Sequence, residues 1–330
     1  MRRVKTSRDD LLSLLVAAGA DCIGDVAVVL EAGAAAEVVP SVDVAALGTV
    51  RFTDLLAQSM SGEHGPEPTL PGVQEKVSAA MISFPVRANA KAGPRSYILK
   101  LNPPKMPRLV ENEHFFLRMA RAAGLEVAKA ELVHDGEGAA GLLVERFDRV
   151  GGKGGRITKV HQEDACQFLD RYPADKYVLT YAEIAQGIAA LASAPIVETA
   201  KYLRLVAFSY LVANGDLHAK NVSLRTEPAG GRVELTPAYD VLTTLPYGDR
   251  SMALAFDGRD DNLKRTTFIA FGERHGVRRA ATEAMLDELC EVASAWASEL
   301  GEIGLDQKKT ADLARVMTKR CADLAAKRGR

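Results

Sequence analysis

Asn214-Gly215-Asp216-Leu217-His218-Ala219-Lys220-Asn221 is the stretch that decides the fold. It follows an apolar run, Ala200 to Ala213, in which Leu203, Val206, Ala207, Tyr210 and Leu211 recur on one helical face. That period predicts a core-facing helix over Glu198–Ala213 that delivers the stretch to a loop at its end. Two strand-like segments follow, Val222-Ser223-Leu224 and Val233-Glu234-Leu235. A carboxylate with an amide side chain five residues on, D-x-x-x-x-N, suits phosphoryl transfer. The Asp can orient and deprotonate an incoming hydroxyl, and the Asn can hold a metal ion. Asp240, in Pro237-Ala238-Tyr239-Asp240, lies after the strand pair where a second metal-chelating carboxylate is needed. These residues imply an ATP-dependent phosphotransferase.

Upstream, Ser96-Tyr97-Ile98-Leu99-Lys100-Leu101 reads as a strand with a Lys among apolar residues. Burying a Lys is costly without a partner. The predicted helix Val110–Ala123, stopped by Gly124, offers Glu113 as that partner, with Lys100 then free to contact nucleotide phosphates. The alternative is a Lys that snorkels from a strand edge. Leu142 to Asp148 reads as an apolar strand running into charged residues, the position of a hinge that presents backbone groups to adenine. Gly151 to Gly155, with four glycines, makes a turn after it. His161-Gln162-Glu163-Asp164 is expected to open a helix carrying Cys166 and Leu169, and a further helix is expected over Tyr181–Ala192. Ala280–Leu300 and Asp306–Lys327 are the clearest of three helical patterns near the carboxyl end.

The amino-terminal part is less periodic. A short helix over Asp9–Ala18, a strand over Val26–Leu30 and a helix over Arg51–Met60 are expected. Ser61 to Gly72 is crowded with Gly and Pro, as a loop that lets backbone amides approach phosphate must be, and as ordinary surface loops also are. The chain lacks G-x-x-x-x-G-K-[ST], which excludes a Walker-type phosphate site.

The 330 residues allow one large core or two lobes, and 47% hydrophobic with 26% charged residues is ordinary globular composition. A net charge of −1 provides no global field toward nucleic acid or an anionic membrane. Eight Lys or Arg against four Asp or Glu in the last thirty residues fit a solvated helix face. Cys22, Cys166, Cys290 and Cys321 are scattered without C-x-x-C or a zinc-spaced His, so free thiols in a reducing compartment are expected. Charged Arg8, Asp9 and Asp10 interrupt any signal-peptide apolar region, and no segment is apolar for long enough to span a bilayer. A cytoplasmic protein without membrane contact is the expectation.

Six stretches in one order resemble the HipA-like serine/threonine kinases of bacterial toxin–antitoxin systems. They are Pro71-Gly72-Val73-Gln74-Glu75-Lys76, Ile98-Leu99-Lys100, Glu111-Asn112-Glu113, His161-Gln162-Glu163-Asp164, the 214–221 stretch and Pro237-Ala238-Tyr239-Asp240. The resemblance implies an α+β, atypical bilobal protein-kinase-like fold with a small β-rich N-lobe and a large helical C-lobe, binding ATP and Mg²⁺. Its divisions would be 1–50 as a remnant of an N-terminal subdomain, 51–147 as N-lobe and hinge, and 148–330 as C-lobe. Asp216 matches the catalytic base, Asn221 and Asp240 the metal ligands, and Lys100 the phosphate-contacting lysine, with Glu113 its helix partner. Lys220 and His218 fall near the phosphates, Glu145 and Phe147 where the hinge binds adenine, and Gly72 and Gln74 in the nucleotide-covering loop. Thr69 stands where the family carries an autophosphorylated Ser, although Pro71 replaces a second Ser found in some relatives. The short amino-terminal part is similar to HipT-type kinases, which implies a small HipS-like antitoxin and a helix-turn-helix HipB-like antitoxin as partners, with DNA met only through them. The implied substrate is a protein, with aminoacyl-tRNA synthetases the known class. The rival readings are a small-molecule kinase of aminoglycoside or choline type, whose usual His before Gly-Asp is Asn214 here, and a catalytically silent sequestering module.

Overall fold

Alternation along Tyr97–Leu101 determines how the sheet is used, because successive strand side chains face opposite sides. The computed structural model describes residues 22–28, 44–54, 82–90, 93–151, 157–227 and 231–325. Strand β1 (Ile82–Ala90) pairs with β2 (Gly93–Leu101), which pairs with β4 (Ala140–Glu145), which pairs with β3 (Ala130–His134), all antiparallel. Leu99 and Leu101 turn to one face and pack with Leu143, Leu47 and Phe52. Lys100 therefore turns to the other face, where Leu142 and Val144 join the main core with Val110 and Phe116 of helix α1 (Leu109–Ala122).

Helix α1 starts where Asn102 Oδ1 accepts the Val110 N–H at 3.0 Å and Asn102 Nδ2 donates to Glu111 Oε2 at 2.8 Å. It stops at Gly124, whose φ of +75° is the left-handed conformation that terminates helices. After β4 the chain makes a short hairpin, β5 (Arg149–Gly151) with β6 (Ile157–Lys159). Residues 22–28 are tied to its start. Asp148 Oδ2 accepts the Gly24 N–H at 3.0 Å, and Arg149 donates to Cys22 O at 2.7 Å and Gly24 O at 2.8 Å. They contain no strand, so the strand expected over Val26–Leu30 is absent from its described part. The helix expected over Arg51–Met60 is described only as one turn at Phe52–Asp54.

A second antiparallel sheet joins β7 (His161–Asp164), β8 (Ser223–Thr226) and β9 (Val233–Leu235) in that order. His161–Asp164 is thus a strand, not the start of a helix. Asp164 is its last residue and the N-cap of α2 (Ala165–Phe168), accepting the Gln167 N–H at 3.1 Å. The remaining helices are α3 (Tyr181–Leu191), α4 (Pro195–Leu211), α5 (Arg265–Arg274), α6 (Arg279–Trp296) and α7 (Gln307–Leu324). They share the main core, into which α4 buries Tyr202, Leu203, Val206, Ala207, Tyr210 and Leu211. The helix predicted over Ala280–Leu300 divides into α6 and a 3-10 turn at Ala297–Ile303. No helix among the described residues is long and apolar enough to cross a membrane.

Candidate active site

At the end of α4 the chain turns through Ala213, whose φ is +55°, into the 214–221 loop. Side chains close the loop locally. Asn214 Oδ1 accepts the Asp216 N–H at 3.0 Å, and Asn221 Nδ2 donates to the Asp216 carbonyl at 2.7 Å. The His218 N–H also donates to that carbonyl, at 2.7 Å. Gly215 passes so close to its neighbours that a Cβ would lie 2.7 Å from both Ser251 O and Thr244 Oγ1. Its N–H donates to Thr244 Oγ1 at 2.8 Å. Asp216 is buried, and Tyr177 donates its hydroxyl to Asp216 Oδ1 at 3.0 Å.

Lys100 gathers two carboxylates. Its Nζ donates to Glu113 at 2.6 and 2.9 Å and also bonds Asp240 Oδ1. Burial alone would discharge the ammonium, but Asp240 and Glu113 outweigh it and hold the Lys100 pKa above its ordinary value. One cation does not fully offset two carboxylates. Burial is the largest influence on Glu113 and pushes it up to about 7, against the attraction of Lys100. Asp240 sits at φ +54°, a conformation that Asp tolerates better than most residues. Asn112 fastens the following segment to α1 by a reciprocal pair, Nδ2 to Thr243 O at 2.9 Å and Thr243 N–H to Oδ1 at 3.0 Å.

His218 packs edge-on against Tyr177, with ring centroids 5.0 Å apart. Burial, then Lys176, lowers its pKa to about 4, so it is a neutral imidazole near pH 7. The charge of Asp240 acts on it in the opposite direction, which links the two clusters. Lys220 donates to Asp164 Oδ2 at 2.8 Å, so the cap of α2 engages the loop lysine. Phe147 packs against Tyr239 with centroids 5.8 Å apart, and Tyr239 in turn bonds Ser223 Oγ and the Lys220 carbonyl. Glu145 turns to Arg95 at 3.1 Å, and its backbone N–H donates to Lys129 O. Thr69, Gly72 and Gln74 lie outside the described residues.

The structure brings Lys100, Glu113 and Asp240 into one ion cluster, and Asp216 and Asn221 into one closed loop. Asn112, Tyr177 and Thr244 are the positioning residues that sequence reading missed. Magnesium prefers oxygen donors and completes its shell with water and phosphate, so a carboxylate and an amide suffice from the protein. Asp240 supplies the first and keeps 27% of its side chain exposed, while the Asn221 amide directs its nitrogen, not its oxygen, into the loop. The residues fit such an ion.

Residues 69–297 match the family described as HipA-like C-terminal domain. Y4mE of Sinorhizobium fredii, which carries a kinase name, is 32% identical over 214 residues, covering 63% of this chain and 50% of its own. The serine/threonine-protein kinase toxin HipA of Shewanella oneidensis is 33% identical over 174 residues, 48% of this chain and 40% of its own. The chain spans about half the length of the curated relatives it matches. The solved complex of the Shewanella oneidensis HipA, HipB and operator DNA contains a chain that superposes with a TM-score of 0.71 at 22% identity, over 96% of this chain and 79% of that one. The Helicobacter pylori proinflammatory kinase CtkA follows at a TM-score of 0.52 and 12% identity, over 77% and 90%. The α+β, kinase-like architecture expected from the sequence is the one observed.

Proposed function

Because the chain belongs to the HipA-like C-terminal domain family, we propose that it is an ATP- and Mg²⁺-dependent serine/threonine protein kinase that acts as a toxin. The observation that carries this reading is the Lys100–Glu113–Asp240 cluster, which joins a strand, a helix and a loop 140 residues away. A structural ion pair has no need of the second carboxylate. A phosphotransferase needs all three, the lysine for phosphate oxygens, the helix Glu to orient it and the loop Asp for metal.

In this mechanism Asn221 and Asp240 would hold Mg²⁺, which would neutralise charge on the transferring phosphoryl group. Lys100 orients phosphate oxygens. Asp216, with Oδ1 fixed by Tyr177, positions the substrate hydroxyl and takes its proton. Phe147 and Glu145 would contact the adenine, and Gly72 and Gln74 the phosphates. His218 is neutral and shapes the loop, and Lys220 steadies it through Asp164.

The proposed substrate is a protein of the aminoacyl-tRNA synthetase class, whose phosphorylation would halt translation, with autophosphorylation at Thr69 as a brake. HipS-like and HipB-like antitoxins are the proposed partners, and DNA is reached through the latter. The test is incubation with γ-labelled ATP, Mg²⁺ and host lysate beside Asp216→Gln. A labelled band of synthetase size, absent from the variant, is expected. Label only on the protein itself, mapping to residues 59–78, would support the Thr69 brake alone. Full labelling by Asp216→Gln would overturn the assignment of the base.

A further inference from the structure

A cavity of about 730 Å³ opens between the end of α1, the first half of α4, the β8–β9 pair and the start of α6. Lys100, Glu113, Asp216 and Asp240 take no part in its lining, and the 214–221 loop reaches it only through Asn221. It adjoins the proposed metal site only at Asn221. Its volume suits a small organic molecule, for which pockets of roughly 300–1,000 Å³ are usual.

The walls are apolar, built from Leu125, Leu203, Val222, Leu235, Val277 and Met285. Exposed Ile196 and Val197 extend that surface to the mouth. Charge at the border is uneven: Lys201, Arg204 and Arg278 face one carboxylate, Glu126. Lys201 is paired with Glu198 at 2.9 Å, and Arg204 bonds Ala123 O and Glu288. Glu126 lies 3.6 Å from Arg225. Arg278 is exposed and has no ion-pair partner among the described residues. It also directly precedes α6, whose first turn has no side-chain cap, so a partial positive charge from the helix end adds to its own.

We propose that this cavity binds a small amphipathic anion, a compact apolar body ending in one carboxylate, sulfonate or phosphate. The body would dehydrate the leucine, valine and methionine walls, and the anionic end would meet Arg278. Part of the lining adjoins the proposed metal ligands. Asn221, Ser223 and Ala238 all line the cavity, Ser223 Oγ is 2.6 Å from the Tyr239 hydroxyl, and Tyr239 precedes Asp240. Both proposed metal ligands are thus carried by segments that the occupant touches, and coupling between two such sites is reciprocal. Binding itself does not depend on the phosphotransferase reading.

The probe is 8-anilinonaphthalene-1-sulfonate, titrated into the full chain by fluorescence beside Ala200→Phe, which fills lining volume, and Arg278→Glu, which inverts an exposed charge. One saturable site is expected. Its affinity should fall about tenfold in Ala200→Phe and about three- to tenfold in Arg278→Glu, the latter difference shrinking at high salt. Affinity unchanged in Arg278→Glu, in a variant that keeps the wild-type unfolding temperature, would overturn the proposal. So would the absence of saturable binding. If Ala200→Phe fails to fold, the exposed Arg278→Glu decides alone.

Discussion

The 214–221 loop and the Lys100 cluster are assembled in opposite ways. The loop is closed internally by bonds between near neighbours, Asn221 to Asp216 and Asp216 to Asn214, while Gly215–Thr244, Tyr177–Asp216 and Lys220–Asp164 tie it to the rest of the chain. The cluster unites three charges from residues 13 and 140 positions apart, and it exists only while β2, α1 and the Asp240 segment keep their relative places. Short-range closure makes the loop a rigid platform. Long-range ion pairing makes the cluster the part that a shift of α1 could take apart while the loop stays intact. Asn112, bonded to Thr243 at both its oxygen and its nitrogen, is the neutral clamp that opposes such a shift.

Lys100→Met breaks the comparison most severely. It removes phosphate orientation and leaves Glu113 facing Asp240, so phosphoryl transfer should fall by roughly a hundredfold or more. Removing one partner of a buried pair typically costs about 3–5 kcal/mol. Here the cost should depend on pH. Glu113 already titrates at about 7, and without the ammonium it shifts further up. Because that folded pKa lies above the unfolded one, the penalty for burying Glu113 grows as pH rises, so the variant should lose more stability at pH 8 than at pH 6. Urea unfolding at the two pH values reads the difference, and an equal loss at both would show that the cluster is not held by charge.

Gly215→Ala attacks the loop instead. The new Cβ would lie 2.7 Å from the Ser251 carbonyl and the Thr244 hydroxyl, well inside contact distance. A destabilisation of about 1–3 kcal/mol is expected, with a loss of transfer as Asp216 is displaced. Nucleotide affinity, which the proposed mechanism assigns to the cluster, should change much less. A variant that lost nucleotide binding and transfer together would show that the two regions are one unit.

The same contrast explains what the sequence revealed. The loop could be singled out because D-x-x-x-x-N lies within eight consecutive residues, and the Lys100–Glu113 pair because a strand and the next helix bring an inward Lys to an inward acid. Strand β7 was misread because His161, Gln162, Glu163 and Asp164 look like an amphipathic helix start. Their ladder partners, Ser223 to Thr226, lie some sixty residues away and only the fold supplies them. The bonds of Tyr177, Thr244 and Asn112 were invisible for the same reason, spanning 39, 29 and 131 residues. Nothing in Pro173–Tyr177 marks one hydroxyl as the partner of the proposed catalytic carboxylate.

His218→Gln gives a smaller and conditional effect. The imidazole is depressed from its ordinary 6.5 to about 4, first by burial and then by Lys176. A group with a folded pKa below its unfolded one contributes stability above the unfolded value and loses it as pH falls through the folded one. The wild type should therefore weaken between pH 6.5 and 4 by on the order of 2–3 kcal/mol from this residue. The Gln variant, which cannot titrate, should show a flatter profile over that window and little change at pH 7. Parallel profiles would mean that His218 gains water on protonation and shapes the loop less firmly than its burial implies.

Tyr177→Phe sharpens the comparison with the least damage, because one oxygen is removed from a side chain that is only partly buried. The phenyl ring can keep its edge-on contact with His218, so the loop should stay folded. What is lost is the bond to Asp216 Oδ1, which selects the orientation of the carboxylate. Fixing the base matters in the transition state and not for nucleotide affinity, so kcat should drop about three- to tenfold while the KM for ATP stays within about twofold. A rise in the KM for ATP at constant kcat would place Tyr177 with the nucleotide cluster. A platform whose base is steered by a residue 39 positions upstream would then be less self-contained than its internal hydrogen bonds suggest.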